Sequence, residues 1–165
     1  MTPLTRSYLL PALQPSLDDF KRHLRITSSD LDAELHVKLM AAVNSAENMI
    51  GQVIALSRFT FTLPFCKTFR LPSRPLQEVE TVSVDGLYIQ DYTLTGRTIT
   101  LPDDVDGSEV EVVYIAGMQE VPFDMQAAIL LHAAALFNNP VDSVETLPKA
   151  STNLLRPYRL WELDK

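Results

Sequence analysis

The sequence has few of the residue types on which most enzyme and metal sites depend. Its 165 residues include one cysteine, three histidines and five glycines. Cys66 has no partner for an intramolecular disulfide, and no histidine has a second ligand at the i+3 or i+4 spacing of a helical metal site. No phosphate-binding loop, dinucleotide fingerprint or nucleophile elbow occurs. We therefore expect no catalytic, metal or cofactor site, and we interpret His23, His36 and His132 as structural or surface residues.

Long hydrophobic runs are also missing. No uncharged apolar stretch approaches the roughly 20 residues that cross a bilayer, and the N-terminus does not have the pattern of a secretory signal. We expect a globular protein that is made in the cytosol and does not enter a membrane. A hydrophobic fraction of 46% and a charged fraction of 21% are those of an ordinary globular domain.

Excess positive charge is absent as well, since the net charge is −7. Direct binding to nucleic acid relies on many Lys and Arg side chains that neutralise phosphates, so we do not expect it. Two explanations of the acidity remain open. The charge can serve solubility alone, or it can line a surface that DNA passes without binding.

The first third of the sequence predicts two amphipathic helices. Ser16 and Asp19 have the spacing of a capping box, and the apolar residues that follow lie three and four positions apart, as in a short helix. Ser29 and Asp32 predict a second cap, which opens a longer helix. Its apolar stripe runs from Leu31 to Ile50, and the residue after it is a glycine that can end a helix.

The middle of the chain has the period of β-strands. Apolar residues from Phe59 to Leu71 fall on odd positions, as expected for strands with one buried face. Pro64 indicates an edge strand or a break in this stretch. Further strands are predicted between the turn dipeptides Asp85-Gly86, Thr95-Gly96 and Asp106-Gly107, and the spacing predicts an antiparallel meander. These strands run from Val79 to Val84, Leu87 to Leu94, Thr98 to Leu101 and Val110 to Ile115.

The acidic segment between the last two predicted strands contains four carboxylates, Asp103, Asp104, Asp106 and Glu109. It does not have the spacing of a calcium loop, because alignment on Gly107 puts Pro102 at the first ligand position. We interpret it as a solvated hairpin turn. It could also line a lumen or an interface.

A third helix is predicted from Pro122 to Phe137, and it is apolar nearly all round, so the core or neighbouring subunits must cover it. The chain then ends in a segment rich in Leu, Arg and aromatic residues, the types enriched at binding hot spots. This tail either folds back onto its own core or docks on a partner.

The order of short motifs resembles the head-to-tail connector (adaptor) family of tailed double-stranded DNA bacteriophages. The resemblance extends from about Leu17 to Arg159. It depends on five segments in the same order as in the family. They are His23 to Ile26, Leu71 to Leu76, Val112 to Gly117, Val121 with Pro122, and Leu154 to Arg159.

This resemblance implies one α+β, mainly α domain over residues 1–165, a helical bundle with a small antiparallel β insertion. The helical part covers about 16–54, the insertion about 59–117, and the last helix with its tail about 121–165. The resemblance further implies a ring of about twelve copies at the head-tail junction, between the portal and a tail-completion or stopper protein. Genome DNA would pass through this ring without specific binding.

Three sets of residues follow as candidates for these contacts. Portal docking is assigned to the tail, at Leu154, Leu155, Arg156, Tyr158, Arg159 and Trp161. Subunit contacts are assigned to the aromatic strands and the third helix, at Phe59, Phe61, Phe69, Ile129, Leu136 and Phe137. The DNA channel is assigned to the acidic segment, at Asp103, Asp104, Asp106 and Glu109. The alternative is a non-enzymatic interaction or scaffolding module unrelated to phage.

Overall fold

The computed structural model describes residues 3–9, 14–139 and 148–160. Two compact units are present. The β unit comprises Met1–Ala12 and Ala55–Met118, and the α unit comprises Leu13–Ile54 and Gln119–Lys165. Each unit is therefore built from two separate stretches of the chain.

The α unit contains α1 (Leu17–Leu24), α2 (Asp32–Ile50), α3 (Phe123–Asn138) and α4 (Lys149–Leu155), and a 3₁₀ turn follows α4 at Arg156–Tyr158. The helix α3 packs on α1, α2 and α4. The fully buried side chains come from all four helices, and they include Phe20, Leu35, Leu39, Ile129 and Leu155. Burial of these apolar surfaces is the main stabilising contribution within the unit.

The helix ends agree with the sequence in two of three places. The Ser16 hydroxyl accepts from the Asp19 backbone, and the Asp19 carboxylate accepts from the Ser16 backbone, so the predicted capping box is confirmed. Gly51 ends α2 with φ of 73°, also as predicted. The predicted Ser29 cap is wrong. Leu31 occupies the N-cap without a side-chain hydrogen bond, because the chain first makes a turn in which the Asp32 N–H donates to the Ser29 carbonyl.

The larger sheet of the β unit has five antiparallel strands in the order β1-β2-β8-β4-β5. These strands are β1 (Leu4–Tyr8), β2 (Ser57–Pro64), β4 (Leu76–Val84), β5 (Leu87–Tyr88) and β8 (Glu109–Ala116). The predicted meander is wrong, because β8 lies between β2 and β4. Val110, Val112 and Tyr114 of β8 are completely buried. The last strand in the sequence therefore occupies the centre of the sheet.

The smaller sheet has three strands in the order β3-β7-β6, formed by Thr68–Arg70, Thr98–Thr100 and Thr93–Thr95. The single strand predicted from Leu87 to Leu94 is wrong, since this stretch forms β5 of one sheet and β6 of the other. Two predicted turns are confirmed. Asp85 and Gly86, both with positive φ, join β4 to β5, and Gly96 lies in the turn from β6 to β7.

The predicted fold class is wrong. The structure is 36% helix and 28% strand, so it is not a mainly helical bundle with a small insertion. The sequence did not predict β1, which adds a strand from the N-terminal segment and pairs Leu4 with Phe61 and Tyr8 with Ser57. A five-residue strand has no distinctive local pattern, and its partner lies about fifty residues away in the sequence.

Among the described residues, no helix is long and apolar enough to cross a membrane.

Candidate functional site

The acidic loop lies between β7 and β8 and carries Asp103, Asp104 and Asp106, whereas Glu109 is the first residue of β8. All four predicted carboxylates are exposed. The loop is not the predicted hairpin, because β7 and β8 belong to different sheets. The Asp85 carboxylate holds the end of the loop, accepting from the N–H groups of Ser108 and Glu109 at 2.9 Å each. The Lys67 ammonium donates to the Asp103 carbonyl. The loop therefore has a fixed base and presents Asp103, Asp104 and Asp106 to solvent.

Gly107 makes this base possible. A Cβ at position 107 would overlap the Val84 side chain and lie 2.8 Å from Asp85 Oδ2. Any larger residue would displace the carboxylate that binds the loop. Gly107 therefore has a packing role at the base of the loop.

The predicted subunit-contact residues fall into two classes. Phe59, Phe69 and Ile129 are buried within the chain itself. Phe59 stacks on the Tyr114 ring with 5.5 Å between centroids, in the core of the β unit. The side chains of Phe61, Leu136 and Phe137 are partly accessible to solvent. Half of the predicted set is thus engaged in core packing and cannot reach a neighbour in this conformation.

Other apolar side chains are far more exposed than those predicted from the sequence. Phe123 at the start of α3 is 89% exposed, and Val37 on α2 is 64% exposed. In the β unit, Leu87 and Tyr88 in β5 are 73% and 75% exposed. Periodicity could not find Phe123, because it lies in a helix that is apolar nearly all round. Contiguous exposed apolar patches, rather than single apolar residues, are typical of interaction surfaces.

The tail packs on the α unit over its described part. Leu155 is completely buried, and the Ser151 hydroxyl donates to the Ala128 carbonyl at 2.9 Å. The Gln52 amide donates to the Tyr158 carbonyl, and the Leu160 N–H donates to the Ile50 carbonyl. The tail is thus bound to α2 and α3 by its backbone as well as by its side chains.

Several predicted docking residues in this tail remain accessible. Arg156 and Arg159 are exposed, whereas Leu154 and Tyr158 are partly exposed. The Tyr158 hydroxyl donates to the Asp124 carboxylate at 2.7 Å, and this hydrogen bond raises the pKa of Tyr158. Trp161 lies outside the described residues. The two arginines are therefore the accessible charged groups of the predicted docking strip.

Two buried titratable side chains, His132 and Tyr114, have shifted pKa values. His132 is buried, its Nδ1 has no hydrogen-bond partner among the described residues, and desolvation lowers its pKa. The pKa of Tyr114 is raised by burial, and its hydroxyl donates to Ser73 Oγ at 2.9 Å. Within the ranges 3–9, 14–139 and 148–160, no three His, Cys, Asp or Glu side chains are grouped to hold a metal ion.

Two of the motifs that suggested a known family lie together in the β unit. Ser73, in the Leu71 to Leu76 segment, is bonded to Tyr114 of the Val112 to Gly117 segment. The Gly117 N–H donates to the Pro75 carbonyl at 2.9 Å. A Cβ on Gly117 would lie 2.7 Å from the Leu56 Cα, and φ there is 126°. These motifs are thus explained by packing of the fold rather than by chemistry at a site.

Comparison with known proteins gives one family and several similar structures. The family described as "Phage gp6-like head-tail connector protein" matches residues 14–159. No curated protein sequence matches the chain.

Solved structures of gene transfer agent (GTA) particles contain chains with a similar fold. One, described as "Neck of empty GTA particle computed with C6 symmetry", aligns with a TM-score of 0.76 and 21% identity, covering 99% of this chain and 97% of that one. A second, "Neck of native GTA particle computed with C12 symmetry", has a TM-score of 0.76, 20% identity and the same coverage. A third, "Virion of native gene transfer agent (GTA) particle", has a TM-score of 0.74 and 22% identity, covering 97% and 96%. At these identities the likeness shows a shared fold.

Proposed function

The chain belongs to the family of phage gp6-like head-tail connector proteins, and from this membership we propose that its copies form a closed ring between the portal and the tail. As a connector, the chain is a structural subunit of the head-tail junction. The observation that carries the proposal is the family match over residues 14–159. The proposal gives the chain a structural role and no catalytic one.

The proposed ring contains about twelve copies, by analogy with the similar chain in a neck computed with C12 symmetry. A ring needs a heterologous interface, in which one face of each subunit fits a different face of the next and the rotation closes. We propose that the chain is made in the host cytoplasm and joins the particle there. Its neighbours in the particle would be the portal on one side and a tail-completion or stopper protein on the other.

The acidic loop is proposed to line the path of the genome. Its carboxylates are exposed and its base is fixed by the Asp85 carboxylate. A ring would repeat these charges around the lumen, and a negative wall repels the phosphate backbone. DNA would then pass without being bound, which suits the net charge of −7.

The tail is proposed to provide the portal contact through its exposed side chains. Leu155 is unavailable because it is buried in the α unit. Arg156 and Arg159 are exposed, and guanidinium groups form strong paired hydrogen bonds with carboxylates. This narrows the docking strip to its two arginines, with Leu154 and Tyr158 beside them.

Electron microscopy of the purified chain mixed with its portal protein tests the proposed function. We expect an added ring of density on the tail-facing side of the portal, with rotational symmetry set by the number of copies. A matched mixture that contains an unrelated acidic protein of similar size is the control. Portal rings that stay bare at saturating concentrations of the chain would contradict the proposal.

A further inference from the structure

Two helices of the α unit, α2 and α3, each have an exposed row of apolar side chains. The side chains alternate in size along each row, and the order of sizes on one helix is the reverse of that on the other. On α2 the stripe is Ala33, Val37 and Ala41, and on α3 it is Phe123, Ala127 and Leu131. All six residues are exposed. Members of each stripe are four positions apart, so neighbouring members are about 6 Å apart along the helix axis. One stripe is small, large, small, and the other is large, small, large.

We propose that the α3 stripe of one copy packs against the α2 stripe of the next copy in the ring. This inference rests on the proposed function, because it takes the second copy from the ring. The two stripes differ, as a heterologous contact requires, and both are free in the single chain. Rows of side chains four residues apart are the ridges that interlock when helices pack.

The size pattern determines which side chains meet. Phe123 and Leu131 are 89% and 36% exposed, and they would fill the space above the two alanines of α2. Val37, 64% exposed, would fill the space above Ala127. This central pair is the same whether the helices run parallel or antiparallel. No charged residue belongs to either stripe, as is typical of the centre of a protein interface.

Phe123 is the expected anchor of the contact. It is the most exposed of the large apolar side chains in the described part of the chain. Aromatic residues are enriched among the few side chains that dominate binding. Its ring makes little contribution to the buried core of its own chain, so it is available to a partner.

Substitutions in the full-length chain test this contact without removing core residues. Assembly is measured by light scattering and electron microscopy over a concentration series, with circular dichroism to check folding. Phe123→Ser and Val37→Arg are each expected to weaken assembly by about 30-fold or more, as hot-spot changes do. Leu94→Ser is the matched control, since Leu94 is an exposed apolar residue outside both stripes, and it should assemble as the wild type does.

A size exchange at the central pair gives a second, independent readout. Ala127→Leu should weaken assembly, because a large residue would then face Val37. Adding Val37→Ala to the same chain should restore assembly, since volume-conserving exchanges in packed contacts are tolerated. A general loss of stability would not be repaired in this way.

The outcomes separate this inference from the ring itself. If the wild type forms rings and Phe123→Ser and Val37→Arg form them equally well, the contact is wrong and the ring stands. If Ala127→Leu is not rescued by Val37→Ala, the size matching is wrong. If the wild type stays monomeric at every concentration, both alone and with its portal, the ring is contradicted and the contact with it.

Discussion

At the scale of single residues, the glycines illustrate how the fold depends on close contact between two backbone segments. Gly117 has φ of 126°, and a Cβ there would press on the Leu56 backbone. Gly96 also has a positive φ, 61°, but a Cβ there would meet nothing within 4 Å. Substitutions at these two positions therefore distinguish the energetic cost of backbone strain from that of steric overlap.

Gly117→Ala is expected to destabilise the protein by about 2–4 kcal/mol, because it adds both strain and a backbone clash. Gly96→Ala is the matched control and should cost about 1–2 kcal/mol, from left-handed strain alone. Denaturant unfolding of both variants measures the difference. Equal losses at the two positions would show that the close approach at Gly117 is relieved without cost.

His132 makes stability depend on pH. Its folded-state pKa lies below 6.5 because burial disfavours the charged form. The unfolded state therefore binds the proton more readily, so stability is lost as pH falls from about 6.5 toward the lowered folded pKa. Unfolding midpoints of the wild type should decrease over this range.

The variant His132→Leu should remove that part of the pH dependence, because it places an apolar side chain of similar size at the buried position. His23→Leu is a useful control, since His23 is exposed. If the wild type and His132→Leu lose stability in parallel between neutral pH and about pH 5, another group is responsible.

At the scale of secondary-structure elements, α4 determines whether the tail is part of the fold. Its one fully buried large side chain is Leu155, and Ser151 is bonded to the Ala128 carbonyl of α3. Removal of the whole tail would therefore expose part of the α unit. Point substitutions at exposed tail residues are the better probe of docking.

Leu155→Ala should destabilise the protein by about 2–5 kcal/mol, as large-to-small core changes do. Asn153→Ala, at an exposed position of the same helix, should have little effect. Thermal unfolding measures both. A Leu155→Ala protein as stable as the wild type would mean that α4 contributes little to the α unit.

Several of the strands were predictable from the local sequence pattern, whereas their pairing partners were not. The odd-position periodicity correctly indicated strands around Phe59, and the turn at Asp85 and Gly86 is where the sequence predicted it. The partner of each strand was not predictable from this pattern. The strand β8 pairs with β2 on one side and with β4 on the other, and its alternate residues Val110, Val112 and Tyr114 are completely buried.

At the scale of the whole molecule, we expect the charge of the acidic loop to control how fast DNA passes through the ring. In particles assembled with Asp103→Lys, Asp104→Lys and Asp106→Lys together, DNA ejection should slow by about tenfold or more at low salt. A positive lumen attracts phosphates, and the attraction weakens as salt rises. Ejection is measured by dye binding to released DNA.

The control for this experiment carries the same change in net charge at exposed acidic positions outside the loop, Asp18→Lys, Asp91→Lys and Glu120→Lys. It should eject DNA at the wild-type rate. Equal rates for the loop variant and the wild type would remove the acidic loop from the DNA path.

The tail arginines predict a second property of the assembled particle. The double variant Arg156→Glu and Arg159→Glu should bind portal rings about tenfold more weakly, mainly through a slower association rate. The double variant Arg22→Glu and Arg70→Glu, at exposed positions outside the tail, carries the same change in net charge and is the matched control. Surface plasmon resonance on immobilised portal measures both, and undiminished binding of the tail variant would contradict docking through the tail arginines.

The sequence by itself determined the first three helices, the Ser16 cap, the end of α2 at Gly51, the turns at Asp85-Gly86 and Gly96, and the connector family, but not α4. Each of these depends on short-range spacing or on the order of motifs along the chain. The position of β8, the pairing of β1 with β2, and the mixed fold class were decided by tertiary structure. These features depend on which distant strands pair, and the period of a single strand does not encode its partner.

Exposure was likewise decided by the tertiary structure. Phe59, Phe69 and Ile129 are apolar residues that the core covers, whereas Phe123 and Val37 are apolar residues that it leaves open. Sequence pattern identifies a residue as apolar but not the element that packs over it, because that element comes from another part of the chain. For this connector, the family was therefore readable from the sequence, whereas its free surfaces emerged only from the packed fold.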